Sequence, residues 1–232
     1  MIQTPFQRLA IGFNALVALA AVGVSFSLMF VGFYVDTVDP SEPTLIGNSP
    51  DGVDQVWERF FDWVGYFTIL SNITVSIVML MLVFKPEVFA LQNFKGRIWR
   101  ALRLDSVLMI VITGIVYNLL LAEGEKVGWD AVSNALQHII NPIVTLLVFL
   151  LVGPRKILNL RTVADAMVLP ILWAVVVLIR GSVISAYPYP FLDVITNGLA
   201  SVVVFILQIM VFALLISALL FLYEKVLERI AR

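Results

Sequence analysis

The chain has 232 residues, 61% of them hydrophobic and only 13% charged, with a net charge of −1 and a mean hydropathy of +1.00. A soluble domain is about 45–50% apolar and about 25% charged, so a soluble body is excluded. The absence of cysteine excludes disulfides, thiolate metal sites and a cysteine nucleophile. No basic stripe with interleaved aromatics points to nucleic acid.

A helix needs roughly 18 or more apolar residues to cross the ~30 Å hydrocarbon core. Six segments meet or approach that length, predicting one all-α domain over residues 1–232, a polytopic bundle of six transmembrane helices. The first runs from about Leu9 to Val35 without a charge. A cleaved leader has an apolar stretch of only about 7–15 residues, so this one reads as a retained helix. The others are expected at about Phe61–Phe84, Leu104–Leu121, Ala131–Val152, Val163–Ala186 and Leu192–Tyr223.

Orientation follows from the lysines and arginines. With both termini cytoplasmic, the inner pieces hold twelve: Arg8, Lys85, Lys95, Arg97, Arg100, Arg103, Arg155, Lys156, Arg161, Lys225, Arg229 and Arg232. The outer side holds three, Arg59, Lys126 and Arg180. The outer loops, Asp36–Glu58 and Glu123–Asp130, are acidic, and the first is rich in Pro and Gly and should be irregular. A multi-pass protein of the plasma membrane, in a bacterium the inner membrane, is expected.

Polar groups in hydrocarbon are costly unless they pair or line a wet cavity. The fourth span carries Asn134, Gln137, His138, Asn141 and Thr145 on one helical stripe. The second carries Thr68, Ser71, Asn72 and Ser76, and the sixth Asn197, Ser201 and Gln208. Tyr117 and Asn118 lie at the outer end of the third span, Arg180 near that of the fifth, and Asp193 at the start of the sixth. Thr68 and His138 each lie about seven residues into their spans, roughly 10 Å below the outer boundary. This common depth predicts a polar cavity in the outer half; the alternative is that these side chains only glue helices together.

His138 is the single histidine, with Asn134 and Asn141 on its stripe to orient the ring. Histidine is the usual general base near neutral pH. One histidine without cysteine or a carboxylate at its depth does not make a metal site, and no cofactor is expected. Asp105 and Asp165 are expected at helix N-termini, where the dipole favours a carboxylate. A hydroxyl becomes a nucleophile when a base takes its proton, and Thr68 is the best placed, with Ser71 one turn deeper. Asn72, Asn141, Tyr117 and Arg180 are candidate oxyanion donors. Arg180 would serve equally as a headgroup ligand or a residue reaching the interface. Tyr187 and Tyr189 read as interface-belt residues.

Four segments carry a resemblance: Tyr66-Phe67-Thr68-Ile69-Leu70-Ser71-Asn72, Leu104-Asp105 through Thr113-Gly114-Ile115-Val116-Tyr117-Asn118, His138 with Pro142, and Arg180-Gly181 through Tyr189-Pro190-Phe191-Leu192-Asp193. From about Trp57 onward the chain resembles a six-helix membrane family, the androgen-induced and androgen-regulated proteins, and most closely its prokaryotic branch. The eukaryotic members are threonine-type hydrolases of fatty acid esters of hydroxy fatty acids. The resemblance implies a catalytic pair, which falls on Thr68 and His138. The His-to-Pro spacing and the longer first outer loop depart from the eukaryotic pattern and leave the substrate open.

The expected function is therefore hydrolysis of a lipid ester, with membrane lipids and that ester as the partners and the oligomeric state open. A small-solute transporter or channel and a non-catalytic lipid- or partner-binding scaffold are the alternatives. Because the chain lacks cysteine, the orientation has a direct test. Cysteines introduced at Asn48 and Lys126 should be labelled by an impermeant maleimide on intact cells, and those at Lys95 and Lys156 should not.

Overall fold

The computed structural model describes residues 3–33, 44–46, 55–122 and 124–230. Within them lie six helical segments long and apolar enough to cross a membrane: Pro5–Phe30, Phe67–Phe84, Phe94–Leu121, Gly128–Leu151, Leu160–Ile184 and Leu199–Ile230. The protein is an all-α, multi-pass membrane bundle. Below, its acidic end carries the loops after the first, third and fifth spans, and its basic end carries the others. The first acidic loop lies mostly outside the described residues, as does Glu123.

Helix α1 (Pro5–Phe30) starts from a reciprocal cap in which Thr4 and Gln7 satisfy each other's backbone amides, with Pro5 at the first helical position. Its buried face carries Ala15, Ala18 and Ala21, small enough for a neighbouring backbone to approach closely. That neighbour is α3 (Phe67–Phe84), which in turn packs on α4 (Phe94–Val116). α4 is the hub, touching α3 and both halves of the bundle, and 56% of its most apolar stretch is buried. The last helix, α10 (Leu199–Ile230), has only 11% buried, so most of its surface faces lipid.

The second span begins later than expected. Residues Val56–Gly65 form a separate helix, α2, with no buried residue, and the chain turns through an extended Tyr66 before α3. The cause is in the sequence: Glu58, Arg59 and Asp62 alternate with Trp57, Phe60, Phe61 and Trp63, an amphipathic pattern that lies at an interface. α2 is pinned across the acidic end. Arg59 donates to the terminal carbonyls of Met29 and Phe30, at 3.1 and 3.2 Å, the Trp63 indole donates to Ser25, and Asp62 pairs with Arg180.

The third span begins ten residues before the expected Leu104, capped by Asn93, with its basic first turns extending towards the basic end. Asp105 therefore lies inside α4, 1% exposed, and a helix N-terminus does not explain it. The fourth span joins α5 (Gly128–Ala135) to α6 (Asn141–Leu151) through a π-helical turn, Leu136–Ile140. The fifth joins α7 (Leu160–Ala166) to α8 (Val168–Ile184), bent at Met167 because Pro170 has no amide proton for the Ala166 carbonyl. Asp165, expected at a helix N-terminus, lies next to the last residue of α7 and pairs with Arg97 instead.

The sixth span begins at Leu199 rather than Leu192. Asp193 instead caps a single turn, α9 (Val194–Asn197), and Gly198, at φ 75°, breaks the path before α10. Tyr187 and Tyr189, expected at the interface, are 2% and 9% exposed. The Tyr187 ring lies over Gly181, where any Cβ would strike it, and its backbone pairs with Thr44 and Ile46.

Gly114 governs the closest approach of α4 to the fourth span. A Cβ there would lie 3.0 Å from the Pro142 ring and 3.1 Å from the His138 carbonyl oxygen. Gly114→Val should therefore destabilise the bundle by about 1–3 kcal/mol, measured by denaturant unfolding in detergent.

Candidate functional site

Thr68 is the second residue of α3, in the first turn, where amides have no helical partner. His138 sits in the π-helical turn of the fourth span. The Thr68 Oγ1 lies 3.4 Å from His138 Nε2, a long contact that a small side-chain rotation would tighten. On the other side of the ring, Nδ1 is 2.8 Å from the Asn134 Oδ1. With that amide oxygen facing it, Nδ1 carries the proton and Nε2 is left as an acceptor towards Thr68. The Thr–His–Asn order is that of a nucleophile, a base and a group that holds the base.

Tyr117 completes the support of the ring. Its phenol stacks on the imidazole with centroids 3.6 Å apart and planes 6° from parallel. It opens a second π-helical turn, Tyr117–Leu121, at the end of α4. Two such turns, which are frequent at functional sites, face each other here. Between them, Asn118 donates to the Gly114 carbonyl at 2.7 Å and the His138 carbonyl at 3.1 Å. The His138 carbonyl is free because residue four ahead is Pro142, which has no N–H.

The residue that sequence reasoning missed is Tyr189. Its hydroxyl accepts the Thr68 backbone N–H at 3.2 Å and lies 3.4 Å from Thr68 Oγ1. Burial pushes the phenol above its ordinary pKa, only partly opposed by its bonds to Thr68 and Phe67, so it stays a proton donor at neutral pH. Its place in Tyr-Pro-Phe-Leu, leading into the last span, was the available signal.

Beneath the pair lies a chain of amides, all buried. Asn72 donates to the Thr68 carbonyl at 2.8 Å, and Asn141 donates to Asn72 Oδ1 at 2.7 Å. The Asn141 oxygen accepts from Asn14 at 3.2 Å and Thr145 at 3.0 Å. Asn141 thus joins three helices and does not orient His138. Ser71 bonds to the Phe67 carbonyl and to Thr113, and it is out of the Thr68–His138 contact. Asn72 and Asn141 each direct an amide N–H into this chain, and Arg180 is paired with Asp62. Asp193 accepts from Thr44, Thr196 and two backbone amides, and Asn197 ties the turn by donating to the Pro190 and Asp193 carbonyls. Both shape the loop that holds Tyr189.

The cavity is not the polar one expected. It measures about 110 Å³ and is half open, and its polar wall residues are Thr68, Thr113, Tyr117 and Tyr189. The rest is apolar, including Leu108, Met109 and Ile112 of α4 and Met167 at the bend before α8. The amides turn away from it into the helix contacts. Among the described residues, no three His, Asp or Glu side chains come together as a metal-binding group.

No family model, curated protein or solved structure matches the chain.

The amide chain makes a quantitative expectation. Asn141→Leu strands the Asn72 oxygen and takes one of its two partners from the Asn14 amide, which keeps Thr145, and should cost about 1–2 kcal/mol of stability. In a double-mutant cycle with Asn72→Leu, the combined loss should be smaller than the sum.

Proposed function

We propose that the protein is an integral membrane hydrolase that cleaves a fatty acyl ester, with Thr68 as nucleophile and His138 as general base. The observation that carries this is the alignment Thr68–His138–Asn134, of which Thr68 lies on the wall of an apolar cavity. The resemblance of the threonine, histidine and Tyr-Pro-Phe-Leu segments to threonine-type lipid hydrolases points the same way. The lysine and arginine bias supports cytoplasmic termini in a plasma or bacterial inner membrane, with the site in the outer half of the bilayer.

In this reading, Thr68 Oγ1 attacks the ester carbonyl carbon while His138 Nε2 takes the hydroxyl proton. Asn134 holds the ring and stabilises the imidazolium through Nδ1–H. The carbonyl oxygen, now negative, is met by the Tyr189 O–H, which the Thr68 amide orients. The dipole of α3, directed at the same point, adds to that stabilisation. Collapse breaks the bond to the alcohol oxygen, which leaves with the proton from His138. Water, deprotonated by His138, then attacks the acyl-threonine, and its proton returns to Thr68 as the carboxylic acid departs.

The apolar lining argues against a path for small polar solutes. Thr68→Ala and His138→Ala should each abolish ester hydrolysis, and the double change should cost little more, since the pair acts as a unit. Thr68→Ser should retain part of the activity. Tyr189→Phe should lower kcat by roughly 10–1,000-fold with little change in KM, as removal of an oxyanion donor does. Hydrolysis of a chromogenic long-chain acyl ester in detergent measures all five, and full activity in Thr68→Ala would refute the reading.

A further inference from the structure

The cavity wall is incomplete on one side. α8 contributes Pro170, Ile171 and Ala174, and α10 contributes Phe205, Ile209 and Met210. These two helices face each other across the cavity but are not among the closely packed helix pairs. They share buried clusters above and below it, Val177 with Val202 towards the acidic end and Met167, just before α8, with Ala213 deeper in, and the partly buried Trp173 and Ile206 pack on the first of these. Between those clusters Ile171 is 40% exposed, and Phe205, Ile209 and Met210 are partly exposed. At this depth in a membrane span, what lies outside the slot is acyl chains.

The dimensions fit one leaflet. From Tyr117 down to Leu108 the lining of α4 covers about 14 Å, and from Phe205 to Ala213 that of α10 covers about 12 Å, at 1.5 Å per residue. Half of the ~30 Å hydrocarbon core is about 15 Å. Thr68 lies in the first turn of its span, on the cavity wall towards the acidic end.

We propose that the slot between α8 and α10 is a lateral portal through which an acyl chain of a bilayer lipid enters from the leaflet on the acidic side. The substrate is then an ester-bearing lipid resident in the membrane, and its chain moves from lipid into an apolar cavity without crossing water. This rests on the hydrolase reading only for what happens at Thr68; the portal is a binding property.

The test reads binding apart from catalysis. Purified protein in phosphatidylcholine vesicles doped with an ether-linked phosphatidylcholine, bearing a diazirine midway along one chain, is irradiated and mapped by mass spectrometry. The ether analogue cannot be hydrolysed. Adducts are expected on Met109 or Ile112, inside the cavity, reduced at least fivefold by Met210→Trp and by Ala174→Trp, which fill the slot from opposite walls. Both variants are compared as monodisperse, folded protein. Adducts confined to the outward residues Val175 and Leu207 would overturn the portal, as would interior adducts undiminished in both tryptophan variants. Interior adducts on a protein that hydrolyses no acyl ester would uphold the portal and refute the chemistry at Thr68 alone.

Discussion

In hydrocarbon an amide side chain has no water to fall back on, so each must be answered by another group, and the partner it finds fixes one helix against the next. Asn14, Asn141 and Asn72 largely meet that requirement together, only the buried Asn14 Oδ1 being left over, and they link α1, α6 and α3 through a run of hydrogen bonds that ends on the Thr68 carbonyl. The rotation of α3 about its axis, and with it the direction of the Thr68 side chain, depends on this run. A helix held by apolar packing alone has several nearly equivalent rotations. One held by three amides has far fewer.

The second requirement is that the fourth span bring His138 to the same place. Two local features do this. The π-helical turns at Tyr117–Leu121 and Leu136–Ile140 widen their helices where they face each other, and Gly114 lets α4 approach Pro142. Pro142, by lacking an amide proton, frees the His138 carbonyl for Asn118. The imidazole is then fixed on three sides, by Asn134, Tyr117 and its own backbone, with its acceptor nitrogen open to Thr68. This is preorganisation in the physical sense: the orientation is set by structural bonds and not by substrate.

The six spans were legible in the sequence because hydropathy is a sum over many residues and tolerates local error. Their ends were less so. The break at Tyr66 depends on whether a short aromatic segment with three charges continues a span or lies flat, and composition does not separate the two. Asp105 was misread because the extension of α4 to Phe94 puts four basic residues inside one helix, which hydropathy counts as a loop. Spacing grouped the polar residues of the second span, and Thr68 and His138 do meet, but the stripe expected on the sixth is broken: Asn197 lies in α9, before Gly198, and Ser201 and Gln208 are exposed. Which of the stripe's amides would face the cavity and which a neighbouring helix depends on helix rotation, which a single stripe does not encode. Tyr189 was hidden for another reason: a tyrosine between two prolines reads as interface, and only the loop's fold turns it inward against Tyr66, Trp173 and Phe191.

The central claim is that Thr68 is an activated nucleophile, and a covalent trap tests it most directly. The purified protein is treated with a long-chain alkyl fluorophosphonate, and the modified residue is located by peptide mass spectrometry. The account predicts a single adduct on Thr68, absent in His138→Ala. An adduct on another residue, or none on Thr68 in folded protein, would contradict it.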